Sequence, residues 1–252
     1  MLQQTPADRV IPVWHEWLSA WPTPAAFAEA SLGEALRAWG RLGYPRRAAR
    51  LQQTAMAIVR DHGGEVPSDT ESLRALPGVG EYTAAAVQAF AFGRRSIVLD
   101  TNVRRVLART LDGTAQQTSH ITTSERLRSQ DLWPAPDERS ARWSAAVMEF
   151  GAIVCKARGP KCAECPIVVH CVWTKDGQPA APPGRRQPSY TGSDREARGR
   201  LMQVLREAGS VATAGDIAAA WADDEQRQRA LAGLVADGLA VKLPRGRYAL
   251  PA

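Results

Sequence analysis

Hydrophobic residues recur at helical spacing through most of the first 170 residues. In the segment Asp8–Trp21, apolar side chains at positions 10, 13, 14, 17 and 18 fall on one face of a helix. Prolines, glycines and capping residues divide the pattern into short helices. The further helices predicted in this way are Ser31–Trp39, Arg46–His62, Glu81–Phe92, Asn102–Leu111 and Arg139–Ile153. No run of strand length alternates polar and apolar residues before residue 238, so this part is predicted to be all-helical.

The chain changes character after residue 172. Residues 173–193 have no period and are rich in proline and arginine, which predicts a linker. Residues 194–252 carry three more helical patterns and then two short strand patterns, and these are Arg195–Ala208, Thr213–Trp221, Glu225–Asp237, 239–243 and 247–250. Three helices and a hairpin are typical of a winged-helix module. We therefore expect a small second domain that either binds DNA through its third helix and wing or packs on the rest of the protein.

Composition restricts the class of protein and its partner. The 252 residues are 44% hydrophobic and carry a formal net charge of +6. Nearly all of the positive charge is arginine, because there are only four lysines. These values indicate a globular protein with a polyanionic partner. No apolar run approaches the length of a bilayer span and no basic-then-apolar leader opens the chain, so we expect a cytoplasmic protein without a membrane partner.

All cysteines of the chain lie within seventeen residues, with the spacing C-x6-C-x2-C-x5-C. They are Cys155, Cys162, Cys165 and Cys171. Clustered thiolates are typical metal ligands, and four of them match the four irons of a cubane iron–sulfur cluster. Structural zinc sites more often use paired short-spaced cysteines, and disulfides need an oxidising compartment. The spacing therefore favours the cluster over the two alternatives, zinc and a disulfide.

Two motifs between predicted helices have the form of sites that act on DNA. In Leu76-Pro-Gly-Val-Gly80, two glycines two residues apart permit a tight turn whose backbone amides can hold a phosphate. By itself, such a turn could simply join two helices. In the second motif, the apolar segment before Asp100 delivers this carboxylate to the start of a helix. Asp is a common helix N-cap, so Asp100 could be a cap, a catalytic carboxylate or both.

Together these motifs resemble the endonuclease III superfamily of helix-hairpin-helix DNA glycosylases and, within it, the A/G-specific adenine glycosylases of the MutY type. The resemblance covers about residues 1–172, with several motifs in the family's order. The segments that carry it are Met1-Leu-Gln-Gln-Thr5, Leu42-Gly-Tyr44, Leu76-Pro-Gly-Val-Gly-Glu-Tyr82-Thr, Leu99-Asp-Thr-Asn-Val-Arg-Arg-Val106 and the cysteine cluster. It implies a mainly α-helical glycosylase domain over residues 1–172 that ends in a [4Fe-4S] cluster loop, 155–171.

The resemblance also implies an activity, a partner and a location. Such an enzyme is a monomer in the bacterial cytoplasm, associated with the nucleoid, and binds double-stranded DNA with A:8-oxoguanine or A:G mispairs. It flips the adenine out of the helix and hydrolyses its N-glycosidic bond. Asp100 matches the carboxylate that stabilises the oxocarbenium-like sugar, and Asn102 matches a polar neighbour. Tyr82 occupies the position of the Schiff-base lysine of bifunctional relatives. Because no lysine precedes Lys156, we expect a monofunctional enzyme.

Eight further residues are expected to contact DNA on the same resemblance. They are Gln4, Thr5 and Tyr44 at the mispair, Gly78 and Gly80 in the hairpin, and Lys156, Arg158 and Lys161 in the cluster loop. Two alternatives stay open for them. Tyr44 could belong to the core, as a single tyrosine in a helical region often does. The cations of the cluster loop could merely balance the charge of the thiolates.

Two departures from the family pattern change the expectation. The family's general-acid glutamate lies two residues before the Met-Leu-Gln-Gln-Thr motif, and this chain begins at that methionine. Either the true start lies upstream or the protein has lost this acid. We expect the first, and therefore little glycosylase activity from the 252 residues and activity from an upstream-extended form. After residue 192, no pattern matches the Nudix-like domain with which many relatives end.

Two alternatives to an adenine glycosylase stay open. The first is a thymine or uracil mismatch glycosylase of the same superfamily, and the second is a non-catalytic DNA-binding protein.

Overall fold

A computed structural model describes residues 1–182 and 189–252, so residues 183–188 of the predicted linker lie outside the described residues. The described chain is mainly helical, as predicted. Its helices are α1 Ala7–Ala20, α2 Pro24–Glu29, α3 Leu32–Trp39, α4 Arg46–His62, α5 Thr70–Ala75, α6 Glu81–Phe90, α7 Thr101–Leu111, α8 Thr123–Leu132, α9 Asp137–Ile153, α10 Val172–Lys175, α11 Asp194–Glu207, α12 Ala214–Ala220 and α13 Asp224–Ala236. Its strands are β1 Val241–Leu243 and β2 Arg247–Ala249. In these ranges no helix combines the length and the apolarity that a membrane span needs.

The ends of the predicted elements agree with the structure to within two residues, because local signals set them. At the start of α3, the Ser31 hydroxyl accepts a hydrogen bond from the Glu34 N–H at 3.1 Å, and the Glu34 carboxylate accepts one from the Ser31 N–H at 2.8 Å. This reciprocal pair is a capping box. At the other end of α4, Gly63 adopts a left-handed φ of +60° that stops the helix.

Four short helices were not predicted from the sequence: α2, α5, α8 and α10. The sequence predicts that Pro22 and Pro24 end the first helix, but Pro24 is the first residue of α2, where the missing N–H costs nothing and Thr23 caps the helix. In α8, polar and charged residues occupy almost every position, so the sequence shows no apolar stripe. The sequence also predicts that Asp131, Asp137 and Glu138 lie in solvated loops, and this prediction is wrong, because they lie in α8 and α9.

The first of two compact units consists of Met1–Pro67, Leu76–Gly78 and the described part of Gln187–Ala252. One hydrophobic core joins side chains of α1–α4, such as Trp17 and Trp39, with side chains of α11–α13, such as Leu201 and Leu231. A Cβ added at Gly33 in α3 would clash with the carbonyl oxygen of Pro251, so the end of the chain packs closely on α3. The compact units thus divide the chain elsewhere than the predicted domains 1–172, 173–193 and 194–252.

The C-terminal segment contains the three predicted helices and the predicted hairpin. Strands β1 and β2 pair antiparallel, with Lys242 opposite Tyr248, and an isolated bridge joins Ala212 to Tyr248. Between the strands, Arg245 lies in the turn with a φ of +60°. The segment therefore has the order of elements of a winged helix, but its helices complete the core of the N-terminal helices.

The second unit, Ser68–Ala75 and the described part of Val79–Arg186, contains α5–α10. Its core surrounds α7, whose Val103, Val106 and Leu107 pack with residues of the α8–α9 region. A buried ion pair joins α7 to α8, with Arg104 Nε 2.6 Å from a carboxylate oxygen of Glu125. Buried charges of this kind are tolerated only when they are paired, so this pair holds α8 against α7. The N-terminus of α7 is thereby fixed by the packing of the whole helix.

Candidate active site

Asp100 is the N-cap of α7, and both oxygens of its carboxylate are held. Oδ1 accepts a hydrogen bond from the Val103 N–H at 2.7 Å, and Oδ2 accepts one from Nδ2 of Asn102 at 2.8 Å. The preceding Val98 is fully buried and anchors the segment that carries the carboxylate. A negative charge at a helix N-terminus is stabilised by the helix dipole. Asp100 can therefore be both the cap of α7 and a catalytic carboxylate, because the capping hydrogen bonds orient the carboxylate.

A buried arginine, Arg105, orients Asn102 in turn. Its Nη2 donates hydrogen bonds to Oδ1 of Asn102 at 2.8 Å and to the Gly151 carbonyl at 2.6 Å. Its Nε donates to the Cys155 carbonyl at 2.8 Å. Burial lowers the pKa of Arg105, and the nearby Cys155 opposes that shift. The hydrogen bonds run from Asp100 through Asn102 and Arg105 to the first cysteine, so α9 and the start of the cluster loop determine where Asp100 lies.

Tyr82 is the second residue of α6 and lies in the same unit as Asp100. Burial raises the pKa of its phenol, and the negative charge of Asp100 raises it further. The residue is 40% exposed, so part of it can be reached from solvent or by a ligand. Asp100 and Asn102 are therefore in direct contact, and Tyr82 lies near enough for the charge of Asp100 to act on its phenol.

The predicted mispair contacts Gln4, Thr5 and Tyr44 all lie in the first unit. Tyr44 is 59% exposed, which rules out the alternative that it belongs to the core. Gln4 is exposed as well. Thr5, in contrast, is buried, and its hydroxyl accepts a hydrogen bond from Nη2 of Arg47 at 2.7 Å. Two of the three side chains are thus open to a ligand, and the third is part of the scaffold.

The hairpin glycines differ in their conformations. Gly78 has a φ of +77°, which favours glycine, and a Cβ there would lie 3.1 Å from the Cβ of Arg50. Gly80 has an ordinary extended conformation and no protein atom within 4 Å of where a Cβ would be. As the N-cap of α6, Gly80 leaves the first N–H groups of that helix without a side-chain cap. Such N–H groups can bind an anion.

The four cysteines line one cavity in the second unit, and none of them forms a disulfide. Burial raises the pKa of the Cys165 thiol, and the charges of the other three cysteines add to the effect. Nη1 of Arg109 lies 3.4 Å from Sγ of Cys155, and its guanidinium lies over the ring of Trp173. Across the described ranges, no three His, Cys, Asp or Glu side chains are arranged to hold a metal ion. The four thiols are thus gathered around one cavity, as the sulfur donors of a metal site would be.

The three predicted cations of the cluster loop are at or near the surface. Lys161 lies 3.6 Å from the Glu164 carboxylate in an exposed ion pair. Arg158 is exposed and Lys156 is partly exposed. Neither of these two forms an ion pair with any residue that the structure describes. Their charge is therefore available to a polyanion.

Sequence reasoning missed three residues that the structure places in or beside these sites: Arg47, Arg105 and Gly151. The one available signal for Arg105 was a charged residue on the apolar face of a helix. Gly151 was missed because it lies inside a helical pattern. A Cβ at Gly151 would lie 2.7 Å from the Asn102 carbonyl oxygen, so α9 approaches the start of α7 closely at this glycine.

The chain is similar to known proteins in its sequence and in its structure. A sequence model of the HhH-GPD superfamily of base excision DNA repair proteins matches residues 1–130. The adenine DNA glycosylase of Mycobacterium tuberculosis is 49% identical over 253 residues, which cover 100% of this chain and 83% of that enzyme. The structure of a thermostable thymine-DNA glycosylase matches with a TM-score of 0.64 at 27% identity, covering 69% of this chain and 80% of that one. A non-covalent endonuclease III–DNA complex matches with a TM-score of 0.61 at 28% identity, covering 70% and 80%.

Proposed function

The chain belongs to the HhH-GPD superfamily of base excision DNA repair proteins, and from that premise we propose that it removes adenine from A:8-oxoguanine and A:G mispairs in double-stranded DNA. It is a DNA N-glycosylase, and therefore a hydrolase, of the adenine-specific kind. The observation that carries the proposal is the carboxylate of Asp100, which is held through both oxygens at the N-terminus of α7. We further propose that the protein acts as a monomer.

The geometry suits stabilisation of positive charge on the sugar. When the adenine–sugar bond breaks, the deoxyribose becomes oxocarbenium-like, and a fixed negative charge nearby lowers the energy of that state. Asp100 accepts hydrogen bonds through both oxygens, which suits a charged stabiliser better than a proton donor. Tyr82 keeps its proton, since its pKa is raised, and it cannot form a Schiff base. A water molecule then adds its oxygen to the sugar carbon, its proton balances the one that the departing adenine takes up, and an abasic site is left.

The proposed cofactor is a [4Fe-4S] cluster held by Cys155, Cys162, Cys165 and Cys171. When bound, it would cross-link the loop and so hold it in shape. The protein's own contribution is the positioning of that loop. The carbonyl of Cys155 accepts the hydrogen bond from Arg105, and the carbonyl of Lys156 accepts one from Arg109 at 2.7 Å. The backbone at the start of the loop is thereby held in place, and we propose that the cations of the loop contact DNA phosphates.

A comparison of four mispairs tests the proposed function. The protein, in the 252-residue form and in an upstream-extended form, is incubated with duplexes that carry A:8-oxoguanine, A:G, T:G or U:G. Alkali then cleaves the abasic sites. We expect cleavage of the A:8-oxoguanine and A:G duplexes. Cleavage of T:G or U:G alone would favour the mismatch alternative, to which the thymine-DNA glycosylase structure gives some support. Binding without cleavage in either form would favour the non-catalytic alternative.

Removal of one cation from the cluster loop should weaken DNA binding in a salt-dependent way. We expect Lys161→Ala to reduce the slope of log Kd against log salt by about one, because one phosphate contact is lost. Lys175→Ala is the matched control, since Lys175 is also exposed but lies in α10, outside the loop. Fluorescence anisotropy with an undamaged duplex at several salt concentrations measures both slopes. Equal slopes for Lys161→Ala and the wild type would exclude the contact.

The wing, which is the hairpin of β1 and β2, is the better candidate for a DNA contact in the C-terminal segment, because the arginines of the third helix already form ion pairs within the protein. In α13, Arg227 pairs with Asp224, and Arg229 lies 3.7 Å from Asp194. The wing carries three exposed cations that form no ion pair within the described ranges, and these are Lys242, Arg245 and Arg247. We propose that the wing contacts DNA phosphates outside the mispair.

Charge removal from the wing tests this proposal without disturbing the shared core. Replacing the three wing cations by Gln should lower the salt slope by about two to three. The control is the double change Arg227→Gln and Arg229→Gln, for which we expect a wild-type slope. The reverse result would assign the contact to the third helix. Deletion of residues 190–252 is a poorer test, because it would also remove half of the first unit's core.

A further inference from the structure

The guanidinium of Arg47 joins two segments that are far apart in the sequence. Its Nη1 donates hydrogen bonds to the carbonyls of Met1, at 3.2 Å, and of Gln3. Its Nη2 donates to the Thr5 hydroxyl at 2.7 Å, and to the carbonyls of Leu42 and Gly43, both at 3.3 Å. One side chain thus holds residues 1–5 and residues 42–44 together. Both segments contain residues for which the proposed function requires contact with DNA.

Each of these segments contains a residue in the left-handed region. Gln4 has a φ of +58° and Tyr44 a φ of +49°, and only two other non-glycine residues in the described ranges have a positive φ. Side chains with a Cβ adopt this conformation at an energetic cost, so it persists only where surrounding contacts impose it. The carbonyls of Gln3 and Gly43, which Arg47 binds, belong to the peptide units directly before the two strained residues. Arg47 is therefore placed to impose both conformations.

Only an arginine has the planar side chain with several donors that the contacts of Arg47 require. Its guanidinium lies 5.3 Å from the centroid of the Trp39 ring and 5.4 Å from that of Tyr44, so it contacts two aromatic rings while its donors point at the carbonyls. Lysine would offer one nitrogen and no planar group. Burial lowers the pKa of Arg47, and its Nε is buried without a hydrogen-bond partner in the described structure. With its other donors committed to the protein, Arg47 has little left to offer a phosphate.

We propose that Arg47 is a positioning residue that sets Gln4 and Tyr44 in the conformation in which they read the base opposite the adenine. This inference rests on the proposed function. It also gives the buried Thr5 the role of an acceptor for Arg47 in place of a direct contact with DNA. Substitution of Arg47 should therefore reduce discrimination between 8-oxoguanine and guanine, while general affinity for DNA is retained.

The neighbouring Arg46 provides a matched control. It carries the same charge, is exposed, and pairs with Asp237 at 3.3 Å, outside the two segments. The variants compared are Arg47→Gln, Arg47→Lys, Arg46→Gln and Arg46→Lys. Two properties of the 252-residue chain are measured for each. The first is hydrogen–deuterium exchange of peptides that cover residues 1–6 and 40–45, without DNA. The second is the ratio of Kd values for duplexes that place 2′-fluoro-2′-deoxyadenosine, which resists excision, opposite guanine or 8-oxoguanine.

Both Arg47 variants should exchange faster in both peptides. They should lose about tenfold of the preference for 8-oxoguanine, the effect of one charge-assisted hydrogen bond. Affinity for an undamaged duplex should stay within about twofold, and the Arg46 variants should match the wild type in exchange and preference. An unchanged preference in folded Arg47 variants, or faster exchange in only one peptide, would overturn the proposal.

Two further results separate the possible causes of failure. If the Arg47 variants unfold, Thr5→Val removes one acceptor without changing the side chain's volume, and it should give part of the same loss of preference. An unchanged preference for 8-oxoguanine in Thr5→Val would then count against the proposal that Arg47 positions Gln4 and Tyr44. If the wild type itself shows no preference for 8-oxoguanine, the proposed function fails. In that case the exchange of the two peptides alone decides whether Arg47 holds them together.

Discussion

Asp100→Asn is expected to lower the rate of adenine release by at least about 10²–10³-fold without unfolding the protein. Asn is as good an N-cap as Asp, so the amide oxygen can still accept the hydrogen bond from the Val103 N–H. The substitution removes the negative charge, and it also replaces the oxygen that accepts a hydrogen bond from Nδ2 of Asn102 by an NH2 group. Since the proposed role of Asp100 is to oppose positive charge on the sugar, the loss should appear in the chemical step and much less in DNA binding.

Single-turnover release of adenine from an A:8-oxoguanine duplex measures the effect, in the upstream-extended form alongside the 252-residue form. The matched control is Asp223→Asn. Asp223 is the N-cap of α13 and accepts a hydrogen bond from the Gln226 N–H at 2.9 Å, so the same chemical change is made at the same kind of position. Thermal unfolding of both variants should stay close to the wild type. Wild-type rates of release in Asp100→Asn would remove the basis of the proposed function.

The long helices and the chemistry-bearing residues could be predicted from the sequence because their signals are local. Helical spacing, the Ser31 cap and the turn at Gly63 each involve only a few neighbouring residues. The same holds for the cysteine spacing and for Asp100 at the start of α7. Helix α8 escaped prediction because it packs through Glu125 and Ser129, which are buried polar residues that leave no apolar stripe.

The residues that hold the site residues in place could not be predicted, because they bind backbone atoms, and backbone atoms have no sequence signature. Arg47 and Arg105 each bind several carbonyls from distant parts of the chain, and any residue type can supply a carbonyl. The sharing of one core by α1–α4 and α11–α13 is another long-range property. A winged-helix pattern predicts three helices and a hairpin, but it does not say what their apolar faces cover.

The close approach of α9 to the start of α7 at Gly151 can be tested by adding a single methyl group. In the helix α9, an exposed Gly→Ala change should stabilise the protein by about 0.5–1 kcal/mol through helix propensity. At this site, however, the new Cβ would lie 2.7 Å from the Asn102 carbonyl oxygen and 2.8 Å from the Asn102 Cβ. Since the carbonyl is backbone, α7 or α9 must move. We therefore expect Gly151→Ala to destabilise the protein by a net ~1–3 kcal/mol, the usual cost of overpacking.

The same shift should also slow catalysis, because Asn102 is the residue that holds Oδ2 of Asp100. A displacement of about 1 Å at a reacting centre can cost about 10²-fold in rate, and we expect Gly151→Ala to approach this value. Urea unfolding and single-turnover adenine release give the two quantities. Gly215→Ala is the control, since Gly215 is also helical but a Cβ there would meet nothing closer than the Thr213 hydroxyl at 3.6 Å. If Gly151→Ala behaved like Gly215→Ala in both measurements, the close approach of α9 to α7 would have no part in positioning Asp100. The route from Asp100 through Asn102 to Arg105 would then be a set of contacts without catalytic consequence.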